Sequence, residues 1–208
     1  MMGLIYGSGS FARFLVGDPL PDNFLEELPM MISRYAFQNL DEHSDQERSA
    51  GWVNILDMFD SEFVTREYLM EPCMAMSWRV DVRKVPPSAI EQYCRDAEQR
   101  IKRDEGLDHL PKGRRQEIRA AVRTSLLKRA IPRSNIYDMI WNLRNGIVLF
   151  GSTSLGLCDE FAEFFFNCFG LHLKPLFPYA IALQILEAEG MEGDILDGLR
   201  PSAFGEVD

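Results

Sequence analysis

From Met74 to Arg83 the chain alternates with a period of two. Met74, Met76, Trp78, Val80 and Val82 fall on one parity, and Ser77, Arg79, Asp81 and Arg83 fall on the other. Successive strand side chains point to opposite faces of a sheet, so the pattern predicts a strand with one buried and one solvated face. Pro86 and Pro87 end it. A strand of this kind ties the fold to a sheet with something covering its apolar side.

The rest of the chain supplies the other strands and the cover. Phe11, Phe14 and Val16 suggest an early strand, and GSGS at 7–10 reads as a bend, because it lacks the spacing of a phosphate loop. Phe24, Leu28, Met31, Ile32 and Tyr35 have helical spacing, with Pro29 predicting a kink or a late start. Residues 41–51 read as a polar loop, and GWVNILDMF as a short edge strand. Ser88 and Glu91 form a capping-box pattern at the start of a helix that runs to about Glu105. GLDHLPKG breaks it, and a second helix runs from about Lys112 to Ala130, giving an antiparallel helical hairpin.

NIYDMIWN and GIVLFGS read as strands around Asn145-Gly146, two residues that tolerate positive φ. The apolar run Leu155, Leu157, Phe161, Phe164, Phe165, Cys168 and Phe169 predicts a helix on the sheet, with Phe166 suggesting near-complete burial. LHLKPLFPY reads as a final strand entering a loop. The expected fold is α+β: an antiparallel or mixed sheet packed by helices, with a helical arm inserted over about 86–131. Residues 1–186 form the expected domain, and 187–208 a loosely held acidic tail.

Several classes of function are set aside at this level. No apolar run approaches the roughly 18–20 residues that span a bilayer, and the N-terminal stretch lacks the pattern of a secretion signal or a myristoylation site. A soluble, cytoplasmic protein is expected. Cys73, Cys94, Cys158 and Cys168 form no C-x-x-C pair, and His43, His109 and His172 lie far from them in sequence. Free thiols are expected, with no metal and no cofactor.

The cations are unevenly placed. Residues 95–133 carry twelve Lys and Arg against six acids, a local charge of +6 in a chain of −10, which leaves −16 for the remainder. Arg115, Arg119 and Arg123 recur every four residues and form one stripe beside Ile118 and Val122. Lys112 shares that arc, while Lys128, Arg129 and Arg133 extend it. Cations at Lys112, Arg114 and Arg115 sit in the first helical turn, against the macrodipole, at a cost of roughly 0.3–1 kcal/mol each. Such placement points to an external anion, either phosphate or the acidic part of another chain, with a solvated face or pairing to acids elsewhere in this chain as the alternative. Tyr93 is the sole aromatic candidate beside the cations, so a stacking platform for single strands is not expected.

The ordered set of Gly51-Trp52, RVDVRKVPPSAIEQY, SLLKRAIPRSN and RNGIVLFGSTS resembles the bacterial RdgC-type recombination-associated DNA-binding proteins, over about Phe11 to Pro178. The resemblance implies a homodimer that encloses duplex DNA without reading sequence and restrains a recombinase, in a nucleoid-associated setting. The phosphate-contacting positions it implies are Arg100, Lys102, Arg103, Lys112, Arg114, Arg115, Arg119, Arg123, Lys128, Arg129 and Arg133. Two departures stand out. Lys128 replaces the proline usual in L-L-P-R-A-F, with Pro132 displaced, and the acidic tail stands where the family has a further C-terminal region. A shortened member is expected, with an open dimer or clamp as the alternative to a closed ring.

Two rival functions remain. A metal-dependent exonuclease would recruit Asp81 and Lys84, or Asp57, Asp60 and Glu62, although neither set has paired-acid or E-x-K spacing. A protein-docking module would use the same basic arm on an acidic partner. No nucleophile constellation is visible, and a non-enzymatic role is expected.

Overall fold

A computed structural model describes residues 9–41, 44–64 and 67–199. The first half of the GSGS stretch, His43 and the acidic tail from Arg200 onward lie outside the described residues. The elements in chain order are β1 (Ala12–Val16), α1 (Phe24–Arg34), β2 (Arg48–Val53), β3 (Leu69–Met70), β4 (Cys73–Val82), α2 (Pro87–Glu105), α3 (Lys112–Arg129), β5 (Arg133–Asn142), β6 (Ile147–Phe150), α4 (Leu155–Phe169), β7 (Leu173–Pro175) and α5 (Pro178–Ala188). A 3-10 turn follows at Gly193–Leu196. The strands form an antiparallel sheet in the order β2-β4-β5-β6-β1-β7, with β3 paired to β4. The fold is α+β, as expected.

The chain divides into two compact units. Residues 9–26, 69–75 and 138–199 form the first, and 27–41, 44–64, 67–68 and 76–137 the second. In the first, α4 lays Phe161 and Phe165 among Phe14, Trp141 and Phe150. Phe150 and Phe161 stack at 4.0 Å with nearly parallel rings, and Trp141 meets Phe165 edge-on at 5.1 Å. Each such side chain contributes roughly 1.5–3 kcal/mol through burial, and well-placed ring pairs add about 0.5–1.5 kcal/mol.

The aromatic density of α4 does not bury it on all sides. Cys158, Phe161, Phe165, Cys168 and Phe169 make one buried stripe, while Leu155 and Phe166 are exposed. Phe166 instead rests beside the His172 ring at 4.4 Å, and Asp18 accepts the His172 backbone N–H at 2.7 Å. The hydrogen bonds from His172 hold the Asp18 carboxyl below the usual range. The β5–β6 turn is longer than a two-residue hairpin. Asn142 Oδ1 accepts the N–H groups of Arg144 and Asn145, and Gly146 takes positive φ at 72° while Asn145 does not. After β7 the chain enters a helix, α5, where a loop is expected from sequence. Pro178 opens that helix at a position where its missing N–H costs nothing. Tyr179 donates its hydroxyl to Asp197 at 3.0 Å, which raises the phenol pKa.

In the second unit the alternation in β4 gives the strand but not its environment. Ser77, Arg79, Asp81 and Arg83, expected on a wet face, are all buried. Arg79 donates Nε and Nη2 to the two Asp81 oxygens at 2.9 and 2.8 Å, and Nη1 to the Met58 carbonyl at 3.2 Å. Its guanidinium also lies 4.1 Å from the Phe37 ring centroid. Arg83 donates to the carbonyls of Asp41 and Ser44 at 3.0 and 3.2 Å. Phe37, Asp41, Ser44, Met58 and Phe59 meet this face, and pairing replaces water around the charges. Period-two alternation reports polarity, not access to solvent.

Two features pin β2 to this cover. A parallel bridge joins Ala36 to Trp52, with Trp52 N–H donating to Tyr35 O and Phe37 N–H to Trp52 O. A Cβ at Gly51 would stand 2.4 Å from Phe37 Cα, so only glycine lets the two backbones approach this closely. The expected capping box at α2 does not form: Pro86 is the N-cap without a side-chain bond, and Pro87 supplies the first helical φ. The four cysteines are free, three buried and Cys73 half-buried. Among the described residues no helix is long and apolar enough to cross a membrane.

Candidate nucleic-acid interface

The basic arm is the α2–α3 hairpin of the second unit. Helix α2 ends at Gly106, which takes a left-handed cap and donates its N–H to Lys102 O. Helix α3 starts after Pro111. Cys94, Leu110, Ile118 and Leu127 are the buried side chains of the hairpin, and most of its remaining residues face water. Helix α3 is strongly polar, so few positions hold it and most of its surface is free to meet a partner.

Every candidate contact residue is exposed except Lys102, which is half-buried. Arg115, Arg119 and Arg123 lie on α3 at four-residue spacing, with Lys112 one turn before them and Lys128 and Arg129 in the last turn. Arg133 stands apart from the helix as the first residue of β5, and Arg100, Lys102 and Arg103 belong to the end of α2. From Lys112 to Arg129, α3 spans about 26 Å at 1.5 Å per residue. That matches about eight base-pair steps at 3.4 Å each.

Pairing inside the subunit neutralises part of this charge. Arg114 donates to Glu117 at 3.2 Å and lies 3.8 Å from Glu105, which offsets its position against the helix dipole. Arg123 donates to Glu47 at 2.5 Å. Arg103 gives its Nε to the Gln99 carbonyl at 3.3 Å. Among the described residues, Arg100, Lys102, Lys112, Arg115, Arg119, Lys128, Arg129 and Arg133 have no carboxylate within ion-pairing distance. Lys112 and Arg115 stand in a first turn with no acid, so the backbone N–H groups and the side chains there add to one positive field.

The stripe runs along two grooves. One, of about 470 Å³, is lined by Cys94, Glu98, Lys112, Arg115, Gln116 and Arg119. The other, of about 430 Å³, is lined by Asp45, Glu47, Gln116, Arg119, Arg123 and Thr124 among others. Gln116 and Arg119 border both. A row of cations lining shallow grooves suits an extended anion running along a helix and offers little to read a base edge.

Nothing in the local sequence pattern marks Glu47 and Asp45 as neighbours of the arm. They lie in a segment read only as a polar loop, and Glu47 is 76 residues from the arginine it meets. No local periodicity links the two. Three of the four carboxylates considered for a nuclease are otherwise engaged. Asp81 is bound to Arg79, Asp57 accepts the Phe59 N–H, and Asp60 accepts from Asn54 and Glu62. Among the described residues no three His, Cys, Asp or Glu side chains group to hold a metal ion.

A family model described as "RdgC: Putative exonuclease, RdgC" matches residues 20–186, which include both helices of the arm. No curated protein matches the chain.

Proposed function

The chain belongs to the RdgC family, and from that premise we propose that it binds duplex DNA without sequence preference, through phosphate contacts made by the α2–α3 arm, and acts in or restrains recombination. Family membership points to a recombination-associated DNA-binding role. The observation that carries the finer reading is the row of exposed, unneutralised cations along α3 in a chain of net charge −10. Counterion release from duplex rewards such a row, and the cations left without a carboxylate partner are the ones free to contribute to it.

On this reading Lys112, Arg115 and Arg119 make the central contacts. Arg100, Lys102, Arg103, Lys128, Arg129 and Arg133 flank them, and Arg114 and Arg123 must first exchange a carboxylate for phosphate. The protein works as a homodimer beside the nucleoid and antagonises a recombinase without catalysing a reaction. Residues 1–186 serve as the binding domain, and the acids from 187 onward as a tail whose described start packs back on α5 through the Tyr179–Asp197 hydrogen bond.

Retardation of two unrelated duplexes at ~50 mM salt, with Mg²⁺ and with chelator, tests this directly. Equal retardation of both, with intact ends, is expected. Mg²⁺-dependent shortening would favour an exonuclease, and no retardation at all would favour an acidic protein partner.

A further inference from the structure

The acidic segment before β2 faces the far end of the stripe, and its backbone is anchored. Arg83, itself 3% exposed, donates to the carbonyls of Asp41 and Ser44 at 3.0 and 3.2 Å, and its backbone N–H donates to the Glu47 carbonyl at 2.8 Å. The β2–β4 register begins immediately afterwards, with Arg48 opposite Val82. The Glu47 backbone is therefore fixed while its side chain remains about half exposed, as does the Arg123 guanidinium it meets. Asp45 lines the same groove.

Resting on the proposed function, we propose that the Glu47 carboxylate stands in for a backbone phosphate at the Arg123 end of the stripe and competes with duplex DNA for that guanidinium. A solvent-exposed pair is weak, so it opens at little cost when a polyanion of higher charge density arrives. Lys112, Arg115 and Arg119 make no such pair among the described residues and take the first phosphates. Arg123 joins only after releasing Glu47. The rigid anchor at Arg83 keeps the competing carboxylate within reach, and so sets a ceiling on affinity that the cation count alone would exceed.

The test is a two-by-two comparison by fluorescence anisotropy on a labelled duplex at ~50 mM salt. Glu47→Gln is made in the otherwise unchanged protein and in an Arg123→Gln background, and circular dichroism melts check that all four proteins fold. Glu47→Gln is expected to tighten binding about two- to fivefold in the unchanged protein, as the loss of one surface-pair competitor allows. The salt dependence should steepen by up to about 0.9. In the Arg123→Gln background the same substitution should leave affinity unchanged. No tightening, or equal tightening in both backgrounds, overturns the proposal, since equal effects would mean general removal of negative charge. Duplex binding by the unchanged protein with either of those results would leave the function standing, whereas its absence would remove the function and this inference together.

Discussion

Arg115 and Arg119 offer the sharpest perturbation, because both are exposed and neither has a carboxylate partner among the described residues. Replacing both with Gln removes two charges at positions where Gln is about as good a helix former as Arg, so stability should change by no more than about 0.5 kcal/mol. Each phosphate contact contributes about 0.9 to the log–log salt slope, so the pair should lower that slope by about 1.8. Raising salt from ~50 to ~200 mM costs roughly 3.5-fold per contact, and about 10²- to 10³-fold for four to six contacts. The double variant should lose roughly 12-fold less over the same range. Anisotropy titrations at five salt concentrations measure it, with a melt confirming the fold. Arg123→Gln should lower the slope by less than either single change, because Glu47 already neutralises that residue. An unchanged slope in the double variant would refute the placement of duplex on this stripe.

Other consequences reach beyond the interface. Gly51→Ala should destabilise the protein by more than about 2 kcal/mol, seen as a lower thermal midpoint, because its Cβ would meet the Phe37 backbone at 2.4 Å. Asp81→Asn should cost about 3–5 kcal/mol by leaving the buried Arg79 charge uncompensated, while Arg79→Met with Asp81→Leu should cost less than Asp81→Asn alone; denaturant titration separates them. Asp18 has a lowered pKa, so its charge contributes stability that is fully present above about pH 3.9 and lost as pH falls further. The difference in melting temperature between the unchanged protein and Asp18→Asn should therefore be largest near neutral pH and shrink below about pH 4.

What could be read in the sequence depended on the range of the interaction. The stripe Arg115–Arg119–Arg123 is a local i, i+4 pattern, and α3 presents it as the spacing predicts. The strand at β4 was equally legible, but the solvated face assigned to Ser77, Arg79, Asp81 and Arg83 was not there. Their cover comes from residues about twenty to forty positions earlier, and each charge finds a partner instead of water. Phe166 misled in the opposite sense, since an aromatic residue within an apolar run can still fall outside a helix's buried stripe. Helix α5 was hidden because PYAIALQILEA carries apolar residues on several sides and follows a strand without a polar break. Glu47 was invisible for a different reason: a contact made through tertiary structure leaves no periodic trace in either segment.

If duplex DNA lies against α3, a protein carrying Arg115→Glu, Arg119→Glu and Arg123→Glu together should show it in duplex binding at ~50 mM salt. This variant should fold and lose retardation of every duplex tried, while the unchanged protein retards them all alike. Binding by the triple variant with the affinity of the unchanged protein would contradict it.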